Sequence, residues 1–278
     1  MLRERWLGGR RARVFTLQWH LTQACGNACT HCYDRTARPA LRRPEAALVL
    51  DDLVGFCRDR GVAAGVTFTG GDPLLHPDFL GIYADAAARG LSLTVLGNPT
   101  SRAQLEAVAE VRRPRCWQVS LEGLQAENDA VRGAGSFERT LAFLDELRRL
   151  EIPAHVMLTL TRDNAHDLLP LAGALRGRVD RFTFNRLARV GEGAALASLS
   201  REAFAALAEA WVEAARRERH LGLKDGLLSL ALGAHGRAPG LGCTGAGCGA
   251  AFNFVALLPD GEVHACRKLP SPASAACR

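Results

Sequence analysis

Short apolar segments alternate with amphipathic segments of helical period through most of this 278-residue chain, and this alternation constrains the fold more than any other feature. Six of the short segments are predicted as strands, at Val14–Thr22, Val66–Thr69, Leu91–Leu96, Trp117–Leu121, His155–Leu160 and Arg181–Phe184. Strands that alternate with helices build parallel sheets. The sequence therefore predicts an α/β fold, a partial (β/α)6 barrel of the TIM type.

The segments between these strands carry the signals of helices. Helices are predicted at Ala46–Arg60, Pro77–Arg89, a segment opened by the capping box Ser101–Gln104, Phe137–Leu150, His166–Arg176 and Ser200–His220. Proline at a first helical position favours the start at Pro77, and Ser136 is predicted as the N-cap of the helix that follows it. Cys57 and Cys116 fall on an apolar helix face and at a strand start, so both are interpreted as small buried residues.

The composition changes after Leu223. Glycine and cysteine dominate residues 233–249, and the apolar segments Phe252–Leu258 and Val263–Cys266 then flank Pro259-Asp260-Gly261. This pattern predicts a β-hairpin with an Asp-Gly turn. We therefore divide the chain into an N-terminal extension (1–13), a barrel domain (14–222) and a small C-terminal module that carries cysteines (223–278).

The charge and the apolar composition bear on location and partners. The net charge of +6 is spread along the chain, so nucleic-acid binding is not expected. No stretch reaches the roughly 18 consecutive apolar residues of a membrane span, and the arginine-rich N-terminus lacks the apolar core of a signal peptide. We therefore expect a cytoplasmic protein without membrane contact. In such a protein, nine cysteines indicate metal or redox chemistry.

Three cysteines directly follow the first predicted strand. Cys25, Cys29 and Cys32 lie within eight residues at the spacing Cys-x3-Cys-x2-Cys. A tetrahedral structural zinc site normally takes four protein ligands. A [4Fe–4S] cluster that is held by only three thiolates leaves its fourth iron open to a small chelating molecule. The spacing therefore favours an iron–sulfur cluster with an open iron.

An unusual segment also follows each of the other predicted strands. These segments are Gly70-Gly71-Asp72-Pro73, Gly97-Asn98-Pro99, Ser120–Gly123, the pair Thr159 and Thr161, and the pair Asn185 and Arg186. In β/α barrels, functional groups gather at the carboxyl ends of the strands, so these segments and the cysteines are predicted to form one site. Adjacent glycines let a ligand approach the backbone. Ser120 suits a carboxylate or a ribose, and Arg132 suits the same carboxylate.

These motifs resemble those of the radical S-adenosylmethionine (radical SAM) enzymes over residues 14–195. The cysteine spacing resembles the signature loop of that family, and Gly70-Gly71-Asp72-Pro73 resembles its Gly-Gly-Glu-Pro motif with Asp in place of Glu. The resemblance implies that Cys25, Cys29 and Cys32 bind a [4Fe–4S] cluster. Reduction of this cluster would cleave S-adenosylmethionine (SAM) to methionine and a 5′-deoxyadenosyl radical.

The same resemblance implies which other residues contact the cofactor. His31 and Tyr33 match aromatic positions that are expected to lie against the adenine. The full set of predicted cofactor-binding residues is His31, Tyr33, Gly70, Gly71, Asp72, Ser120, Arg132, Thr159 and Asn185. For Ser120 and Arg132, the alternatives are a buried hydroxyl and a surface salt bridge without a role in cofactor binding.

The C-terminal module resembles the start of a SPASM-type auxiliary cluster domain, which is common in the peptide-modifying branch of that family. Cys248, Gly261 and Cys266 match its Cys…Gly-x4-Cys element, and Cys243 is predicted as a further ligand of a second cluster. The segments Val119–Gly123 and Arg132–Phe137 resemble the same branch. Residues 242–268 most closely resemble the maturases of selenobiotic (thio/selenooxazole-type) peptides.

SPASM domains continue through further cysteines, whereas only Cys277 follows Cys266 in this sequence. The auxiliary cluster is therefore predicted to be incomplete. One alternative is a remnant that holds no stable cluster. Another is a zinc site at Cys243, Cys248, Cys266 and Cys277, since zinc and iron–sulfur clusters share thiolate ligands.

The resulting hypothesis is a radical SAM enzyme that modifies a ribosomally synthesised precursor peptide and takes electrons from a flavodoxin or ferredoxin. A protein maturase of the sulfatase-maturing type is an alternative, but Arg267 stands where that group places an aspartate after the matching cysteine. A non-catalytic regulator that binds an iron–sulfur cluster or zinc is a second alternative, motivated by the short tail and the basic charge. A third is a folded but inactive chain with an incomplete substrate-facing module.

Overall fold

The computed structural model describes residues 14–226, 228, 248–268 and 275–277, and within them it confirms the predicted α/β partial barrel. The strands are β1 (Val14–Thr22), β2 (Ala63–Gly70), β3 (Ser92–Leu96), β4 (Trp117–Ser120), β5 (Ala154–Leu160), β6 (Arg181–Arg186), β7 (Phe254–Leu257), β8 (Val263–His264) and β9 (Ala275–Cys277). The six predicted barrel strands all form. β2 and β6 extend further than predicted, to Gly70 and to Arg186.

The strands form one mostly parallel sheet in the order β6-β5-β4-β3-β2-β1-β7-β8-β9. Strands β1 to β6 pair in parallel with their sequence neighbours, so their carboxyl ends share one edge. The register between β1 and β2 shifts between His20 and Thr22, and this shift places Thr22 opposite Gly70. The cysteine segment therefore leaves the sheet beside the two-glycine segment.

The helices cover the sheet and bury its apolar side chains. They are α1 (Arg43–Asp59), α2 (Phe79–Ala88), α3 (Arg102–Val111), α4 (Gln125–Arg132), α5 (Ser136–Arg149), α6 (Leu168–Ala174) and α7 (Arg201–Arg217). Trp19, Phe68, Trp117, Phe182 and Trp211 are fully buried in the resulting core. Cys57 and Cys116 are also buried, as their sequence context predicts.

Three helical predictions need correction. The predicted start at Pro77 is wrong, since α2 begins at Phe79 after the N-cap Asp78. The sequence does not predict α4, because Asn128 is its single buried residue and no apolar stripe marks it. The predicted N-cap Ser136 is instead the first residue of α5. The cap comes from Asp129, whose carboxylate accepts the backbone N–H groups of Gly135 (2.7 Å) and Phe137 (2.8 Å). A carboxylate from the preceding helix thus replaces the local hydroxyl.

The C-terminal hairpin joins the same sheet. β7 pairs in parallel with β1, and β8 returns antiparallel to β7 after the Pro259–Gly261 turn, so the predicted hairpin forms with shorter strands. The boundary near residue 222 stays a prediction, and the predicted ligand Cys243 lies outside the described residues. In the part of the chain that the structure describes, no helix is long and apolar enough to cross a membrane.

Candidate functional site

The three early cysteines lie on one loop that its own backbone folds. Cys25 is exposed, whereas Cys29 and Cys32 are partly buried, and all three thiols are free. The Cys32 N–H donates to the Cys29 carbonyl (3.1 Å), and Arg35 Nη2 donates to the same oxygen (2.8 Å). Burial raises the pKa of Cys29, and the charge of Arg132 opposes that shift. The loop therefore presents three thiols from one short stretch of chain.

The distances between the sulfur atoms bear on whether the loop could bind a zinc ion or an iron–sulfur cluster. A zinc ion with Zn–S bonds of ~2.3 Å holds its tetrahedral sulfurs about 3.8 Å apart. The sulfurs of Cys25, Cys29 and Cys32 do not all lie within 4.8 Å of one another. A four-iron cluster binds each thiolate to a different iron, so it requires a wider set. As they stand, the three sulfurs are therefore too far apart to bind one zinc ion together.

The two glycines at the end of β2 pack directly against the cysteine loop. A Cβ on Gly70 would lie 2.2 Å from the Thr22 carbonyl oxygen, and a Cβ on Gly71 would lie 2.4 Å from that of Ala24. Two backbone bonds of 2.8 Å close this contact, from the Gly71 N–H to Thr22 and from the Asp72 N–H to Ala24. Any side chain at these two positions would prevent the two backbones from meeting, so the contact requires glycine. The sequence alone did not show this requirement.

A polar network joins the ends of the first three strands. Asn27 Nδ2 donates to Asn98 Oδ1 (2.9 Å), and Asn98 Nδ2 donates to Asp72 Oδ2 (3.3 Å) and lies 3.6 Å from Cys25 Sγ. Burial raises the pKa of Asp72, while bonds from the Leu74 N–H and Asn98 oppose the shift. Asn98 was predicted as part of a strand-end segment but not as a site residue, and it connects Cys25 to the glycine motif.

A buried carboxylate, Glu122, gathers the groups at the ends of β4 and β5. It is fully buried, with Oε1 lying 2.9 Å from His31 Nε2 and 3.0 Å from Arg132 Nε. Its Oε2 accepts the Thr159 backbone N–H (2.8 Å). Burial alone would raise the pKa of Glu122, but the charges of His31 and Arg132 outweigh it and lower the pKa to about 2. Glu122 is therefore ionised at neutral pH.

Glu122 was not predicted as a site residue, although its segment was. A strand-end glutamate gives no sequence signal of its own, because its partners come from the cysteine loop and from the unpredicted helix α4. His31, Arg132 and Thr159, three predicted cofactor residues, meet through this carboxylate. Arg132 is only 12% exposed, so the salt bridge that it forms with Glu122 is largely buried and does not lie on the surface.

The remaining predicted residues keep free hydrogen-bonding groups. Ser120 and Asn185 are half-buried at the ends of β4 and β6, and neither side chain has a hydrogen-bond partner among the described residues. Within the part of the chain that the structure describes, Arg132 donates through its Nε alone, to Glu122. Together with three thiols on one loop, these open donors fit a [4Fe–4S] cluster with one open iron and a polar ligand beside it.

The C-terminal segment also reaches this site. Arg267 is buried, forms an ion pair with Asp34 and lies over the Tyr33 ring, with 5.5 Å between its guanidinium carbon and the ring centroid. Burial, followed by the charge of Arg267, lowers the pKa of His20 to about 3. Burial raises the pKa of the Tyr33 hydroxyl to about 12. Of the predicted auxiliary ligands, Cys266 is partly buried and Cys248 is exposed.

Comparison with known proteins agrees with this geometry. The sequence model of the Radical SAM superfamily matches residues 19–175. The chain is 33% identical to the mycofactocin maturase MftC of Mycobacterium ulcerans, over 90% of this chain and 67% of that protein. It therefore spans about two thirds of the length of that relative.

Two solved structures share the fold. Streptococcus suis SuiB bound to the precursor peptide SuiA superposes with a TM-score of 0.71 at 14% identity, over 92% of this chain and 60% of SuiB. The protein anSMEcpe with bound AdoMet gives a TM-score of 0.72 at 13% identity, over 94% of this chain and 77% of anSMEcpe. The match of the superfamily to more than half of the chain confirms the resemblance seen in the cysteine spacing. The chain belongs to the radical SAM superfamily, whose enzymes use a [4Fe–4S] cluster and SAM.

Proposed function

We propose that this protein is a radical SAM enzyme that modifies a ribosomally synthesised precursor peptide. The observation that carries the proposal is the loop of three thiols, set at the carboxyl edge of the sheet and supported there by the ends of the neighbouring strands. The peptide substrate is supported by similarity to a protein named mycofactocin maturase and by the fold shared with SuiB, solved with its precursor peptide. The finer resemblance to selenobiotic maturases stays a prediction.

Cys25, Cys29 and Cys32 would hold three irons of the cluster and leave the fourth open. When bound, the cluster and SAM together supply a 5′-deoxyadenosyl radical that removes a hydrogen atom from the substrate. The protein holds the thiols in place through the contact of Gly70 and Gly71 with the loop. That contact consists of hydrogen bonds between backbone groups, so the position of the loop does not depend on the rotamer of any side chain there.

Arg132 would bind the carboxylate of SAM. Glu122 takes its Nε, so the Nη groups of the guanidinium stay available for a paired contact with a second carboxylate. The orientation of Arg132 is therefore fixed before the ligand arrives, which lowers the entropic cost of binding. Ser120 and Asn185 would donate further hydrogen bonds to SAM. Thr159 would line the site at the end of β5. His31 and Tyr33 would lie against the adenine.

Asp72 would support the two-glycine turn. Its Oδ1 accepts the Leu74 N–H at 3.2 Å and its Oδ2 accepts Asn98 Nδ2 at 3.3 Å, which keeps the turn after β2 in shape. The carbonyl groups of the turn could then receive the ammonium group of SAM, as the motif predicts. We further propose an auxiliary iron–sulfur site at Cys243, Cys248 and Cys266, and electron delivery by a flavodoxin or ferredoxin.

The test is anaerobic reconstitution with iron and sulfide, followed by dithionite and SAM. We expect 5′-deoxyadenosine from the wild type and none above background from Cys29→Ser. Cys116→Ala is the matched control, since Cys116 is buried in the core away from the loop. A fully loaded cluster that releases no 5′-deoxyadenosine would contradict the proposal and favour a non-catalytic regulator. The substrate is then tested with peptides encoded beside the gene, whose mass should change only in the presence of the active enzyme.

A further inference from the structure

The C-terminal segment touches the cysteine loop through one buried arginine. Arg267 directly follows Cys266 and is only 6% exposed. Its Nη2 pairs with Asp34 Oδ2, and its guanidinium lies over the ring of Tyr33. A planar guanidinium can pair with a carboxylate and cover an aromatic ring at the same time. One side chain therefore contacts both residues that follow Cys32.

Asp34 closes the cysteine loop at its base. Its side chain is 9% exposed. Gln23 Nε2 donates to Oδ2 (2.9 Å), and the Thr36 N–H donates to Oδ1 (2.7 Å). The Cys32 thiol donates to the Asp34 carbonyl (3.3 Å). Because Gln23 precedes the first cysteine and Asp34 follows the third, this carboxylate joins the two ends of the loop.

The Arg267–Asp34 pair places two opposite charges beside the third cysteine. Asp34 lies two residues after Cys32 and its carbonyl accepts from the Cys32 thiol at 3.3 Å, so the charged pair lies close to the third sulfur. Charges in a buried site are weakly screened by water. The reduction potential of an iron–sulfur cluster depends on the net charge and the hydrogen bonds around its sulfurs. Any unbalanced charge at this position should therefore change the potential.

We infer that Arg267 is a positioning residue that neutralises Asp34 at the base of the cysteine loop and thereby sets the reduction potential of the cluster bound there. The inference rests on the proposed function, because it requires a cluster at Cys25, Cys29 and Cys32. It also gives the C-terminal segment a role at the first cluster. That role holds whether or not Cys266 binds a second one.

The test uses three variants whose net charges differ in sign. Arg267→Gln leaves Asp34 unbalanced, so the midpoint potential should shift to a more negative value. Asp34→Asn leaves Arg267 unbalanced, so the potential should shift to a more positive value. The double variant restores the neutral pair and should return close to the wild type. Redox titration of each reconstituted protein, followed by electron paramagnetic resonance (EPR), gives the three potentials.

Arg38→Gln is the matched control. Arg38 also connects the region after the cysteines to the C-terminal hairpin, through Asp260 (2.6 Å) and Glu262 (3.4 Å), but it forms no ion pair with Asp34. It should keep the wild-type potential. A shift in Arg38→Gln equal to that in Arg267→Gln would overturn the inference, since hairpin docking alone would then explain the effect.

The remaining outcomes separate this inference from the proposed function. Loaded Arg267→Gln and Asp34→Asn proteins with the wild-type potential would overturn the inference and leave the proposed function intact. A wild type that forms no [4Fe–4S] cluster would contradict the proposed function itself. If Arg267→Gln does not fold, as judged by its thermal melt, Asp34→Asn and the double variant still decide, because shifts of the same size in both would overturn the inference.

Discussion

The two cysteine-bearing regions of this protein are held in different ways. The early loop is fixed by the backbone of β2, by the Asn98 side chain after β3 and by the Asp34–Arg267 pair. In the later region, Cys248 is exposed, and its sulfur accepts the Ala250 N–H at 3.5 Å. Among the described residues, the early site is thus supported from several chain segments, whereas the contact of Cys248 comes from a residue two positions along the chain.

The largest expected difference between the two regions is in cluster assembly. Cys29→Ser should abolish the first cluster and SAM cleavage, because the loop then offers only two thiolates. Cys248→Ser should leave the first cluster and its SAM-dependent signal in place. Iron and sulfide analysis, together with 5′-deoxyadenosine formation, measures both variants. Equal losses of cluster in the two variants would show that the two cysteine-bearing regions assemble as one unit, which would contradict their separate support.

The next largest effect is expected from Glu122, the buried carboxylate of the early site. Glu122→Gln leaves Arg132 buried without its counter-charge and should destabilise the fold by about 3–5 kcal/mol. Chemical denaturation measures this change. Asp163→Asn is the control, because that exposed carboxylate pairs with an exposed arginine and should change stability by no more than about 0.5 kcal/mol.

The lowered pKa of Glu122 should also make the stability of the protein depend on pH. The pKa of Glu122 is lowered from 4.5 to about 2, so its stabilising contribution is complete above pH 4.5. It is lost as the pH falls towards 2, since only the unfolded state binds a proton in that range. Denaturation at pH 3 and pH 6 should show a smaller difference in Glu122→Gln than in the wild type. An unchanged difference would show that Glu122 is not ionised in the folded protein.

A smaller effect is expected where the glycine motif meets the loop. Gly71→Ala places a Cβ 2.4 Å from the Ala24 carbonyl, and the backbone shift should cost about 1–3 kcal/mol and reduce cluster loading. Gly55→Ala is the control: no atom lies within 4 Å of its added Cβ in α1. It should stabilise the helix by about 0.5–1 kcal/mol. Full cluster loading in Gly71→Ala would show that the backbone contact is not needed to hold the cysteine loop.

The last effect is a pH dependence at His20, a buried residue of β1. Burial and the charge of Arg267 lower its pKa from 6.5 to about 3, so only the unfolded state takes up this proton between these values. Stability should therefore fall as the pH drops from 6.5 towards 3, by up to about 1.4 kcal/mol per pH unit. His20→Phe should flatten this dependence, whereas replacement of the exposed His166 should not. A wild-type slope in His20→Phe would contradict the burial of a neutral histidine at this position.

The sequence was sufficient to predict the six barrel strands, since apolar segments of this length between helices have few other solutions. It also predicted that the strand-end segments lie at one edge of the sheet, because parallel strands bring their carboxyl ends together. It did not predict Glu122, Asn98 or Arg267 as parts of that site. Their roles depend on partners far away in the chain, and no local spacing marks such contacts. Helix α4 was missed for a related reason, because it buries a polar residue.

The claim at the centre of this account is that Cys25, Cys29 and Cys32 hold a cluster with one open iron. The direct measurement is EPR spectroscopy of the reduced, reconstituted Cys248→Ser/Cys266→Ser variant, before and after addition of SAM. This variant removes signals that would come from the predicted auxiliary ligands. We predict a [4Fe–4S]+ spectrum whose line shape and g values change when SAM binds. A loaded cluster with a spectrum that SAM leaves unchanged, or a protein that takes up zinc and no iron, would contradict the claim.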